Sequence, residues 1–469
     1  MVKSTLLLST IQALLLGATM VQARMMLQQE RLEEVYGSKQ PLRKDAFCSE
    51  PVSKGKVEFP ESLAGRAGVD FDMYSGYVPI SDSPDYLFYW FFGAQDANAS
   101  APLIIWTNGG PGCSAMEGAT TETGPLSLFD IKESCSNDGN CDYTGQLSRN
   151  PYAWNVHANM LFLDQPKNVG YSFGYGKETE SSVEAADDFI VFYQGWLELF
   201  PEFKGRELII AGESYGGHYV PAWANAILNF NEDLQKKEEG AGVPINFAGV
   251  AIGNGCVNNT VQNTEQFVKF QHECHLIPED ANPRTQAAAY ASMISHLGYE
   301  PNYYDYRVES ITCDACYGYN YTAWSYWFLQ TEVLDTLHIC GDAGNDAFAG
   351  RAGGCISMGA FDAHDTFDYS GAVARTLEAG VPVTFYFGKT DTACNYVGGN
   401  AMAETIEWTG RERFNMAQFE PLLISGVEAG QVRTSGGLTV VQVDSAGHMV
   451  PMDQPAGSAA AIKTILDQL

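Results

Sequence analysis

Glu207-Leu-Ile-Ile-Ala-Gly-Glu-Ser-Tyr-Gly-Gly217 is where a short apolar strand pattern stops and a helical pattern, Tyr215 to Asn229, begins. At the junction, Gly212-Glu213-Ser214-Tyr215-Gly216 fits Gly-x-Ser-x-Gly, in which small residues around a serine permit a tight strand-to-helix turn that lifts the hydroxyl clear of a sheet. The pentapeptide alone is a weak signal. Its flanks strengthen it, because a chance match usually lacks both the strand and the helix. The plainer alternative is an ordinary turn in which Ser214 caps the helix.

Further short apolar runs occur at Leu103-Ile-Ile-Trp106, Met160 to Leu163, Phe247 to Ile252, Val381 to Phe387 and Leu438 to Val443. Such continuous runs suit strands covered on both faces. Helical patterns such as Ser182 to Leu199 lie between them; this alternation predicts an α/β sheet with crossovers, and together with the elbow an α/β-hydrolase fold, with a mostly parallel central sheet and helices on both faces. The first strong strand signal is Tyr86 to Phe92, and the globular fold is expected to start near Val69. From Gly255 to about Leu337 the alternation lapses into a Cys-, Tyr- and Asn-rich stretch. We read residues 255–337 as an inserted cap, with 67–254 and 338–469 forming the hydrolase domain; a structural excursion with no role in binding is the alternative.

The chain has 469 residues, 45% of them hydrophobic and 12% aromatic, which suits a large globular core. Its 27 basic and 57 acidic residues give a net charge of −30, which argues against nucleic acid or an anionic membrane as partner. Lys3, the apolar run Leu6 to Leu16 and the small residues of Val21-Gln22-Ala23 read as a secretory signal peptide over 1–23. Residues 24–66, with the basic pair Arg43-Lys44, read as a propeptide or N-terminal extension. Sequons at Asn98, Asn258 and Asn320 fit the secretory pathway and are the glycosylation candidates. Eleven cysteines imply disulfides with at least one left over, and the connectivity of close pairs such as Cys135 and Cys141 is not read from spacing. Cys313-x-x-Cys316 has no complementary pair for zinc, so no metal site is expected. No second long apolar stretch follows, so no membrane span is expected.

A serine hydroxyl needs a base, and the base needs an acid that fixes its tautomer. On this fold the chain order is serine, acid, histidine. His448, in Gly447-His-Met-Val-Pro451, follows the strand Leu438 to Val443. Asp391 follows the strand Val381 to Phe387, although Asp362, Asp365 and Asp368 compete for its role. Asn108-Gly109-Gly110-Pro111-Gly112, directly after another strand, is backbone that can turn its amides toward a developing oxyanion.

Five runs together resemble the serine carboxypeptidases: Trp106 to Ser114, Phe162 to Ser172, Gly212 to Pro221, Ile252 to Gly255 and Gly447 to Pro451. The resemblance spans most of residues 70–469. It implies Ser214, Asp391 and His448 as a catalytic triad, and oxyanion donors from the backbone of Gly110 and Tyr215. It also implies that Asn108, Gly109, Glu122 and Glu213 hold a substrate's terminal carboxylate. The substrate would be a peptide or protein with a free C-terminal carboxylate, cleaved best in acid and without a cofactor. Cys113 would pair with Cys355, and Cys394 would be an unpaired thiol beside the pocket. Lys389 departs from the family's acidic pattern before the Cys-Asn pair. An acyltransferase of the same fold, a non-catalytic binding protein and a general esterase are the rival readings. The destination is extracellular or vacuolar/lysosomal, a homodimer is possible, and side-chain preference stays open.

Overall fold

The computed structural model describes residues 51–469 other than 65–67, 83, 96–99, 129–131, 136–140, 145, 237–241, 312–315 and 341–353. The expected signal peptide, most of the extension and the sequon at Asn98 lie outside the described residues.

One sheet of 11 strands organises the chain. In chain order these are β1 (Gly55–Lys56), β2 (Met73–Pro79), β3 (Tyr86–Phe92), β4 (Leu103–Thr107), β5 (Asn159–Leu163) and β6 (Glu207–Glu213). They continue as β7 (Asn246–Gly253), β8 (Val383–Gly388), β9 (Glu420–Ile424), β10 (Val427–Ser435) and β11 (Leu438–Val443). The spatial order is β1-β2-β3-β5-β4-β6-β7-β8-β11-β10-β9. The middle, β5-β4-β6-β7-β8-β11, is parallel throughout. Antiparallel strands flank it on both sides.

The apolar runs are continuous because both faces of the sheet are covered. Alternation along β4 sends Ile104 and Trp106 into one core and Leu103 and Ile105 into the other. The same split puts Ile209 and Ala211 of β6 opposite Leu208 and Ile210. Helices α1 (Ser182–Leu199), α2 (Gly216–Lys236), α3 (Ser370–Glu378) and α4 (Tyr396–Thr405) cover one face, while α5 (Pro455–Leu466) packs on the other. None of the helices of the described residues is long and apolar enough to cross a membrane.

The fold starts earlier than Val69. Gly55 and Lys56 pair with Ser75 and Tyr74 at the sheet edge, and Val57 and Leu63 are buried. Phe59 packs on Trp90 and Trp327, so the aromatic density of β3 and of the helix Thr322–Phe328 recruits the preceding segment. After Gly253 the chain leaves the sheet and returns at Val383; the excursion carries the helices Glu265–Glu273, Gln286–Leu297 and Thr322–Phe328.

Asp164 fastens the loop after β4 to the end of β5. Wholly buried, it accepts hydrogen bonds from Ser114 Oγ at 2.7 Å, Ala115 N at 2.8 Å and Tyr171 N at 2.8 Å. Burial holds its carboxyl up at about 6 despite these donors. Asp164→Ala strands three buried donors and is expected to cost about 3 kcal/mol of stability. The denaturant midpoint measures it, and an unchanged midpoint would refute the role.

Candidate active site

Ser214 joins β6 to α2 at φ +60°, the left-handed region that a non-glycine residue occupies only when its surroundings hold it there. The holding bonds are visible. Its N–H donates to Gly253 O at 3.0 Å, and its carbonyl accepts from Gly217 N at 2.9 Å and Cys256 N at 3.0 Å. The expected elbow is therefore formed, and Ser214 is half-buried and lines an open cleft.

His448 and Asp391 arrive from the loops after β11 and β8, which are neighbours in the sheet. His448 Nδ1 lies 2.7 Å from Asp391 Oδ2. A carboxylate only accepts, so Nδ1 carries the proton and Nε2 presents a lone pair. That Nε2 is buried and has no hydrogen-bond partner among the described residues; it lines the same cleft as Ser214 but is not bonded to it. Catalytic hydrogen bonds of this kind often close only when substrate is bound. Asp391 is fully buried and held by Asn254 Nδ2 at 2.7 Å, Ala393 N at 2.8 Å and Cys394 N at 3.1 Å. Asn254 in turn accepts from Gly388 N at 3.0 Å, tying the end of β7 to the end of β8.

The loop after β4 lies directly against the elbow. A Cβ at Gly109 would stand 2.4 Å from Tyr215 N and 2.5 Å from Glu213 O, so only glycine permits this approach. Gly110 follows at φ +108°. Among the described residues, neither Gly110 N–H nor Tyr215 N–H donates to another backbone group. Tyr215 is anchored by its side chain, whose hydroxyl donates to Asp365 Oδ2 at 2.7 Å.

Three acids cluster at the cleft, and two of them, Glu117 and Glu213, line it. A single π-helical turn, Gly118–Glu122, swings Glu122 inward, where its Oε1 accepts from Asn108 Nδ2 at 3.0 Å. Trp106 Nε1, at 2.8 Å, and Gly118 N, at 3.1 Å, fix the Asn108 amide by donating to its Oδ1. Glu213 and Glu122 face each other within hydrogen-bond reach, and Oε2 of each has no partner apart from the opposite carboxyl. Burial raises both pKa values, Glu213 well above the usual range, with the charge of Glu122 as the next cause. The third acid, Glu117, is 7% exposed, and its carboxyl is pushed up to about 8 by burial and then by Glu122.

Two expectations are corrected. Cys394 is no free thiol: it is disulfide-bonded to Cys256, because both follow the ends of neighbouring strands, β7 and β8. The free cysteine among the described residues is Cys274, which does not line the cleft. Asn258 is a poor glycan acceptor: it is 7% exposed and its side chain caps a short helix, accepting from Thr260 N and Val261 N. Asn320 is exposed. Cys113 is joined to Cys355, as the resemblance implies. Their sulfurs lie with Glu117 in a metal-like cluster, but disulfide sulfurs are not thiolate ligands. Glu117 and Asn254 were missed from sequence, although Asn254 sits inside the run Ile252 to Gly255.

Residues 60–468 match the family model for serine carboxypeptidase. Carboxypeptidase Y homolog A of Fusarium vanettenii is 32% identical over 431 residues, which cover 84% of this chain and 74% of that protein. Its namesake from Botryotinia fuckeliana is 32% identical over 427 residues, covering 84% and 72%. The crystal structure of a prohormone-processing carboxypeptidase from Saccharomyces cerevisiae superposes with a TM-score of 0.69 at 24% identity, covering 88% of this chain and 96% of that one, and so shares the fold. The matched residues include the elbow, the glycine loop and the histidine loop, and the chain belongs to the serine carboxypeptidase family of serine-type peptidases.

Proposed function

We propose that this enzyme releases the C-terminal amino acid of peptides and proteins through an acyl-enzyme on Ser214, and that Asn108, Gly109, Glu122 and Glu213 read the free carboxylate. The observation that carries this is the facing pair Glu122 and Glu213, of which Glu213 lines the cleft of Ser214. Two buried carboxyls this close share a proton, since both cannot be ionised together. A substrate carboxylate is a third anion, and it binds only if the pair supplies O–H donors to it. A general esterase has no use for such a pair.

Ser214 Oγ attacks the carbonyl of the last peptide bond while His448 Nε2 takes its proton and Asp391 stabilises the imidazolium. The N–H groups of Gly110 and Tyr215 meet the oxyanion. His448 returns the proton to the leaving amine, the free amino acid departs, and water, activated by the same histidine, cleaves the ester. We also read the enzyme as a secretory-pathway protein, extracellular or vacuolar, on the support of its disulfides, which persist in oxidising compartments.

The sign of the pH dependence follows from the raised pKa values of the acid pair. The pair keeps its protons above the usual glutamate range, and loses them as pH rises through the raised values. Carboxylate binding is then lost. Hydrolysis of an N-blocked dipeptide is expected to be best near pH 5 and to fall toward pH 8 by about tenfold or more, while an ester or amide lacking a free carboxylate falls less. A flat peptide profile would refute the reading. No released amino acid at pH 5, with Ser214 still labelled by a fluorophosphonate, would point to acyl transfer instead.

A further inference from the structure

Glu117 has no part in the chemistry above, yet it lines the cleft between the disulfide Cys113–Cys355 and the aromatic residues contributed from beyond β7. Its Oε1 accepts a hydrogen bond from Tyr321 OH, and that hydroxyl also lies 3.1 Å from Met449 Sδ, next to the candidate base. Glu117, Tyr319, Tyr321 and Met449 thus form one wall of the cleft. No lysine, arginine or histidine among the described residues pairs with this carboxyl. A buried acid facing a ligand cleft without a counter-ion is an incomplete site.

The position of the substrate follows from the carboxylate reader, so the inference rests on the proposed function. The side chain of the released residue leaves from the carbon that bears the carboxylate held by Asn108, Glu122 and Glu213. Glu117 is close enough to that set for the charge of Glu122 to act on it. We propose that Glu117 selects the released residue, favouring C-terminal lysine or arginine, whose cation supplies the partner the carboxyl lacks. Tyr319, Tyr321 and Met449 are suited to the aliphatic stem of such a side chain.

The groups that face Glu117 are Glu122 from its own turn, Glu213 from the elbow and Tyr321 from the same wall. Because Glu117 holds its proton up to about 8, a substrate cation must displace that proton in acid. The preference therefore strengthens as pH rises toward neutrality, even while overall activity falls. A ratio of kcat/KM for two substrates in the same protein cancels the shared pH dependence of the carboxylate reader and the base. It also cancels any loss of folded enzyme.

The experiment compares N-blocked dipeptides that differ only in their last residue, lysine against leucine, with the full chain and with Glu117→Gln, from pH 5 to pH 7.5. The wild-type ratio is expected to favour lysine and to rise about tenfold across the range, equivalent to about 1.4 kcal/mol. In Glu117→Gln it is expected to fall about tenfold at the upper pH and to lose its slope. A wild-type ratio that favours leucine or stays level with pH, or a ratio that Glu117→Gln leaves unchanged, overturns the selector role alone. Release from neither dipeptide overturns the proposed function with it.

Discussion

Ser214→Ala is expected to lower kcat by about 10⁶-fold while leaving the affinity for an N-blocked dipeptide within about threefold. The loss is that large because serine and histidine act as one unit: without Oγ there is nothing for His448 Nε2 to deprotonate and no ester to form. Affinity is kept because the proposed carboxylate-reading groups, Asn108, Glu122 and Glu213, make no hydrogen bond to the serine side chain. The backbone is already held at φ +60° by three main-chain hydrogen bonds, and alanine meets the same strain there as serine. Burst-free single-turnover kinetics and calorimetric binding together measure the two arms. Retention of more than a hundredth of wild-type kcat would remove Ser214 from the chemistry.

Much of this arrangement was legible because it is local. The apolar runs of β4, β6, β8 and β11 are short and continuous, and their residues divide between two cores as strands covered on both faces must. The elbow was visible because strand, serine, glycines and helix follow one another directly. Choosing among acids was harder, since Asp362, Asp365, Asp368 and Asp391 all precede or follow the same strand. The structure separates three of them by partner. Asp365 takes hydrogen bonds from Ser182, Tyr215, His218 and Tyr369, Asp368 accepts from Ser370 N and Oγ, and Asp391 meets His448. What sequence concealed depends on distant segments. Glu117 is buried through Tyr321, which lies 204 residues later, and Cys394 finds Cys256 through the adjacency of β7 and β8.

Asp391→Asn is expected to lower kcat by about 10⁴-fold, with KM little changed. Both carboxylate oxygens are already engaged by donors, Oδ1 by Ala393 N and Oδ2 by Asn254 Nδ2, Cys394 N and His448 Nδ1. An amide can satisfy one side of that set and must point its own N–H₂ at donors on the other. If the oxygen replaces Oδ1, the amide nitrogen faces His448 Nδ1. The ring then accepts there and carries its proton on Nε2, the tautomer that cannot take a proton from Ser214. If the oxygen replaces Oδ2, the clash moves to the Ala393 N–H, and the imidazolium formed during reaction faces a neutral group in place of an anion. Either orientation removes transition-state stabilisation while leaving the carboxylate reader untouched, so the loss falls on kcat. Serine labelling by a fluorophosphonate should slow in parallel, because it uses the same base. A fall of less than tenfold in either rate would mean that Asp391 holds the loop rather than the proton.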